Sequence, residues 1–126
     1  MSTQRSLEGA LIGTGFPYRM TAEHIDPYLA MLKAVMGVAA GVRRPGAASL
    51  DLAYVAAGRL DGFWEFGLQP WDTAAGTLLI TEAGGRVGTP IGEEYALGPN
   101  IVVGNPKVYE GLLAMLGPLT PAALRG

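Results

Sequence analysis

Apolar and polar positions change period along the chain, and each change marks a predicted element. Gly9 to Pro17 begins with a short apolar run and closes in glycine and proline, predicting a buried strand that leads into a turn. From about Pro27 the spacing turns helical, with Tyr28, Leu29, Leu32, Val35 and Met36 on one face and an end near Gly37. Val42 and its neighbours suit a short strand. Gly46 to Ala57 is alanine-rich and helical, with Gly58 placed just past its last turn.

Leu60 to Gly67 has the aromatic content of a strand. Pro70-Trp71-Asp72 opens another helix, where a first-turn proline and a first-turn acid are both favourable, and Gly84-Gly85 stops it. Ala75, Leu78 and Leu79 would be its packing stripe. Arg86 to Thr89 reads as a short strand, Pro90 to Asn100 as a loop, and Ile101 to Gly104 as an apolar strand. Asn105-Pro106 is an N-cap followed by a first-turn proline, and the helix it starts places Val108, Leu112, Met115 and Leu116 on one side. Pro118 to Gly126 reads as a loose tail. Strands alternating with helices predict an α/β fold, a sheet with helices packed against it.

Composition narrows this picture. The 126 residues suffice for one domain with its own core. Only 16% of them are charged, against roughly 25% in an ordinary soluble domain. With a positive mean hydropathy, that low charge predicts a face covered by another domain or subunit. The absence of cysteine excludes disulfides and thiolate metal sites. A net charge of −2 argues against a direct nucleic-acid binder. No apolar run reaches the ~20 residues of a membrane span, so the expectation is a soluble, cytoplasmic protein.

The chemistry is expected where strands turn into helices. Glu65 falls near the end of one predicted strand and Asp72 in the first turn of the next helix, with Gly67 and Pro70 turning the chain between them. Both carboxylates then share one edge of the sheet, where α/β folds bind ligands. Gly46-Ala47-Ala48 starts another helix, whose free N–H groups and small side chains let an anion or sugar hydroxyls approach the backbone. Such an edge suits a hard cation and a phosphate. Spacing alone leaves open the plainer reading of Asp72 as an acid that favours a helix N-terminus.

The segment Trp71-Asp72-Thr73-Ala74-Ala75-Gly76-Thr77-Leu78-Leu79-Ile80-Thr81-Glu82-Ala83-Gly84-Gly85 closely resembles the C-terminal signature of the inositol monophosphatase family. The resemblance extends upstream from Glu65 to Gly46 and downstream to Gly104-Asn105-Pro106-Lys107, covering about Leu7 to Leu116. The wording around Gly41 to Gly46 is similar to the bacterial branch that includes the extragenic-suppressor phosphatases.

This resemblance implies the C-terminal half of a layered αβαβα sugar-phosphatase fold, a small mixed sheet flanked by helices, with residues 1–126 forming the C-terminal domain. It implies that Asp72 is catalytic, coordinates Mg²⁺ and lies close to the substrate. Glu65 matches a carboxylate that hydrogen-bonds inositol hydroxyls. Gly46 and Ala47 match backbone positions lining the same pocket, Ala47 replacing a residue that is often Thr or Ser. The remaining metal ligands would come from an N-terminal half carrying an Asp-Pro-(Ile/Leu)-Asp-Gly-Thr motif, which this sequence lacks.

The implied substrate is an inositol or similar polyol phosphate, and the implied assembly a dimer. One carboxylate is too few for the Mg²⁺ cluster of phosphoryl transfer, so the isolated chain is expected to be inactive. The alternative is a non-catalytic interaction module, transcription-associated as in some bacterial relatives. Other candidates have plainer roles. His24, in a polar stretch ahead of its helix, is expected in a solvated or helix-start role, and Arg43 and Arg44 at the surface or a subunit interface. Phe63, Trp64 and Phe66 are expected in the core, Trp71 in packing at its helix start, Asp51 in a structural role, and Glu82 solvated or paired.

Overall fold

The computed structural model describes residues 1–15, 22–44 and 46–125, apart from the side chains of 22 and 23. The turn expected at Phe16-Pro17, together with Pro45 and Gly126, lies outside the described residues.

Among the described residues, five strands form one mixed sheet. They are β1 (Leu11–Thr14), β2 (Gly41–Arg43), β3 (Gly62–Glu65), β4 (Arg86–Gly88) and β5 (Ile101–Gly104). Their spatial order is β2-β1-β3-β5-β4. β1 runs parallel to both β2 and β3, whereas β5 is antiparallel to β3 and β4. Among the described residues the α-helices are α1 (Ala22–Met36), α2 (Ala48–Ala56), α3 (Pro70–Glu82) and α4 (Pro106–Leu116). All five predicted strands form, as does the mixed sheet flanked by helices.

Alternation along the strands sends side chains to two cores. Ile12, Trp64 and Val102 pack with Tyr28, Met31 and Val35 of α1 and with Val108, Leu112 and Leu116 of α4. Phe63, Ile101 and Val103 point the other way, onto Leu52 and Val55 of α2 and Ile80 of α3. The expected core placement of Phe63, Trp64 and Phe66 is therefore met. Asp61 ties the sheet together at its start: its carboxylate accepts the Leu11 N–H at 2.7 Å.

Several expectations are corrected. α1 starts at Ala22 rather than Pro27, so Pro27 lies inside the helix, and His24 falls in its first turn, the helix-start role expected of it. Ala and Glu, the residue types at the new start, are good helix formers. Along α1, Tyr28, Met31 and Val35 are buried while Leu29 and Met36 face outward. In α3, the expected stripe of Ala75, Leu78 and Leu79 is exposed, and the buried positions are Thr73, Gly76 and Ile80. The reason lies at Gly76, where an added Cβ would sit 2.5 Å from the Leu52 Cβ, so the two helices touch at the smallest residue.

Trp71 is 76% exposed, so it is not the packing residue expected at the helix start. The tail is not loose. It forms two short 3₁₀ turns, Gly117–Leu119 and Ala122–Leu124. Leu124 joins the α1/α4 core, and its carbonyl accepts from Asn100 Nδ2 at 3.1 Å.

The helix ends follow local rules. Asn105 caps α4 by accepting the Val108 N–H at 2.8 Å. Gly58 and Gly84 take φ of +81° and +91° just beyond α2 and α3, where the left-handed conformation ends a helix. α2 starts without side-chain help, because its N-cap Ala47 has no hydroxyl to offer. Among the described residues no helix is long and apolar enough to cross a membrane. Ala47→Ser supplies the missing acceptor and is expected to raise stability by about 1 kcal/mol, read from urea unfolding; an unchanged midpoint would show the first turn already satisfied.

Candidate active site

Because β1, β2 and β3 are parallel, their C-terminal ends lie at one edge of the sheet. β2 leads into α2 and β3 into α3, so both helix N-termini open at that same edge. α1 follows β1 and packs on one face, while α3 follows β3 and packs on the other. Adjacent parallel strands whose chains leave to opposite faces open a crevice between their ends, the usual ligand position in such sheets.

Glu65 stands in this crevice. It ends β3, pairs with Ile101 and is half-buried. Across from it is Gly15, one residue beyond β1; a Cβ there would overlap the Glu65 carboxylate. Gly15 was missed in the sequence because its requirement arises from a neighbour fifty positions away. On the α1 side of the sheet, the Thr14 hydroxyl and the buried Tyr28 hydroxyl hydrogen-bond at 3.0 Å. Burial raises the Tyr28 phenol most; the Thr14 bond opposes this and the Glu65 charge adds to it.

Asp72 is at the third position of α3, one turn past N-cap Gln69. Its Oδ2 accepts the Gln69 N–H at 2.9 Å, while its other oxygen accepts no hydrogen bond among the described residues. One carboxylate oxygen thus secures the helix start and the other is available to a ligand. Asp51, in the first turn of α2, is 1% exposed, and neither of its carboxylate oxygens has a hydrogen-bond partner among the described residues. A buried carboxylate of this kind is costly, and burial pushes its pKa from 3.8 up to about 6.

Glu65 is pushed further, from 4.5 to about 7, first by burial, then by the Asp51 and Asp72 charges, with Arg44 opposing. Asp51, Asp72 and Arg44 are therefore close enough for their fields to act on Glu65. The structure brings Glu65 and Asp72 to one edge, with the start of α2 beside them. Gly46, at φ +94°, and the extended Ala47 lead the chain into that helix. Arg43 and Arg44 are exposed, as is Glu82, which proves to be the last residue of α3. Asp51 carries more than the plain structural role expected of it: it adds negative charge to the crevice. Its place in an alanine-rich helix gave no sign of this, since only the fold turns it inward.

As to a metal, among the described residues no three His, Cys, Asp or Glu side chains stand close enough to hold one. The free Asp72 oxygen, in a cluster short of positive charge, fits one corner of a hard-cation site and no more.

An α/β sheet with carboxylates at a strand-to-helix edge defines the class, and comparison with known proteins makes it specific. The chain belongs to the inositol monophosphatase family, a family of phosphatases, whose sequence pattern matches residues 1–118. It is 53% identical to the Nus factor SuhB of Pseudomonas aeruginosa over 99% of this chain and 47% of that protein. It is 49% identical to the Nus factor SuhB of Escherichia coli over 90% of this chain and 42% of that one.

Among solved structures, the extragenic suppressor protein suhB of Bartonella henselae superposes with a TM-score of 0.86 at 45% identity, covering 92% of this chain and 44% of that one. The inositol monophosphatase of Anabaena superposes at 0.85 and 36% identity, covering 98% and 49%. The chain spans less than half the length of the curated relatives it matches.

The shifts of Asp51 and Glu65 fix a pH dependence. Both folded pKa values lie above the unfolded ones, so the folded chain holds protons that the unfolded chain has released. Their contribution is fully present below about pH 4 and is lost as pH rises towards 7. Asp51→Asn is expected to shrink this loss and to raise Tm more at pH 8 than at pH 4, measured by thermal unfolding across pH. Equal changes in Tm at both pH values would show that Asp51 does not carry the buried charge. Gly15→Ala is expected to dislodge the Glu65 carboxylate, so that its titration, followed by carboxyl ¹³C NMR, falls back towards 4.5.

Proposed function

We propose that the complete protein hydrolyses a phosphate monoester of myo-inositol or a similar polyol with Mg²⁺, and that this chain supplies one metal ligand and the polyol-binding side. The observation that carries this reading is the single free oxygen of Asp72, held at the crevice by its bond to Gln69, within the electrostatic reach of Glu65. Family membership supports the reaction class.

Bound there, Mg²⁺ would supply Lewis-acid activation of the phosphate and of the attacking water. Asp72 would then hold the cation with one oxygen while its other oxygen keeps the carboxylate from rotating. Glu65 would orient substrate hydroxyls, accepting from them when ionised and donating to them when protonated; its pKa of about 7 allows both near neutrality. Gly46 and Ala47 would let the polyol approach the backbone at the start of α2.

The other ligands would come from a preceding half of the protein. Leu50, Trp71, Leu78 and Leu79, exposed on α2 and α3, are apolar surface for such a half or for a second copy to cover. The implied assembly is a dimer in the cytoplasm. A second reading is a non-catalytic interaction module, favoured by the name Nus factor carried by the Pseudomonas and Escherichia relatives and by that same exposed surface.

The two readings part in a phosphate-release assay with Mg²⁺, run on this chain alone and fused behind the preceding half of the Pseudomonas aeruginosa relative. The chain alone is expected to be inactive and the fusion active; an inactive but folded fusion favours the interaction module. In the fusion, Asp72→Asn is expected to lower turnover by a factor of about 100 or more without unfolding, as loss of a charge-stabilising group does. Near-normal turnover would remove Asp72 from the mechanism. Glu65→Gln is expected to change KM or substrate preference, and an identical profile across polyol phosphates would count against its role.

A further inference from the structure

The loop between β4 and β5 is joined to the start of α3 by a chain of hydroxyls. The Tyr95 hydroxyl donates to the Gly98 carbonyl at 2.7 Å. With its one proton placed there, the phenol oxygen is left to accept, and Thr73 Oγ1 lies 2.8 Å away. The other contact of Thr73, the Pro70 carbonyl at 3.4 Å, is too long to compete for its proton. The order is therefore Thr73 O–H to Tyr95 O–H to Gly98 C=O, an arrangement in which each bond polarises the next.

Thr73 is fully buried and adjoins Asp72. The same loop also grips the turn before α3. Leu68 N–H donates to the Pro99 carbonyl at 2.9 Å, and Gly67 N–H donates to Asn100 Oδ1 at 3.2 Å. Gln69, whose N–H is bonded to Asp72, thus sits between two segments fastened to one loop.

We infer that Tyr95 is a positioning residue for Asp72: through Thr73 it locks the first turn of α3 to the loop and so sets the direction of the free Asp72 oxygen. The catalytic consequence rests on the magnesium role proposed for Asp72. The positioning itself does not. A phenol is protonated near neutrality, as the chain of hydroxyls requires, and burial raises its pKa further; the Thr73 bond opposes that shift and the Asp72 charge adds to it.

The test uses the whole chain with Tyr95→Phe, Thr73→Val and Thr73→Ser, followed by NMR. Either of the first two removes one link and is expected to shift the Gln69 amide proton upfield. Its exchange protection should fall about tenfold relative to the Val103 amide in β5, the scale of one lost hydrogen bond. Thr73→Ser keeps the hydroxyl and should keep the signal. The double variant should be no worse than either single one, because both cut the same chain.

In the active fusion, assayed well below its unfolding temperature, the same two variants should raise the Mg²⁺ concentration for half-maximal activity by about tenfold, as loss of a residue supporting a metal ligand does. The substrate KM should stay unchanged. A merely structural Tyr95 would lower Tm and leave both the Gln69 amide and the Mg²⁺ dependence in place, and that result overturns the inference. If Asp72→Asn proves active, the magnesium reading fails instead, and the amide signal still decides whether Tyr95 orients Asp72.

Discussion

Two parallel strands lie side by side, and the chain leaves them in opposite directions. β1 feeds a helix on one face of the sheet and β3 feeds a helix on the other, which leaves their shared end uncovered. Every candidate group depends on that opening. Glu65 reaches it as the last residue of β3, Asp72 as the opening turn of the helix that follows, and the start of α2 arrives from β2. Gly15 keeps the opening wide enough, since any side chain there would occupy the space of the Glu65 carboxylate.

The electrostatics of the opening are lopsided. The Asp51 and Asp72 charges both act on Glu65, and Arg44 is the one basic group that opposes them there. Asp51 is buried without a partner among the described residues, which a chain selected for stability alone would not retain. Perturbed acids gathered in a crevice are a mark of functional sites, where stability is given up for chemistry. The imbalance has the sign that a bound cation relieves.

Rigidity comes from outside the crevice. The loop of residues 89–100 fastens Gly67, Leu68 and Thr73, and Leu124 of the C-terminal turns fastens Asn100 in turn. α2 and α3 also carry large apolar side chains in the open. That agrees with a chain spanning less than half the length of its relatives.

Local chemistry was enough to read much of this from the sequence. Strand identities, the Asn105 cap, the glycine stops and the approach of Glu65 to Asp72 follow from short-range rules, because a strand-turn-helix of so few residues has little freedom. The motif around Trp71-Asp72 carried the family. What the sequence could not show depends on partners distant in the chain. Gly76 rather than Leu78 marks the α3 contact, because closeness to Leu52 selects the smallest residue. Leu124 is held because a core formed by α1 and α4 has room for it. Gly15, Asp51 and Tyr95 acquire their roles only when β1, α2 and the loop before β5 meet at one edge. Periodicity reports which face of an element is apolar, but the space left by neighbours decides which residues touch, and that space exists only in the folded chain.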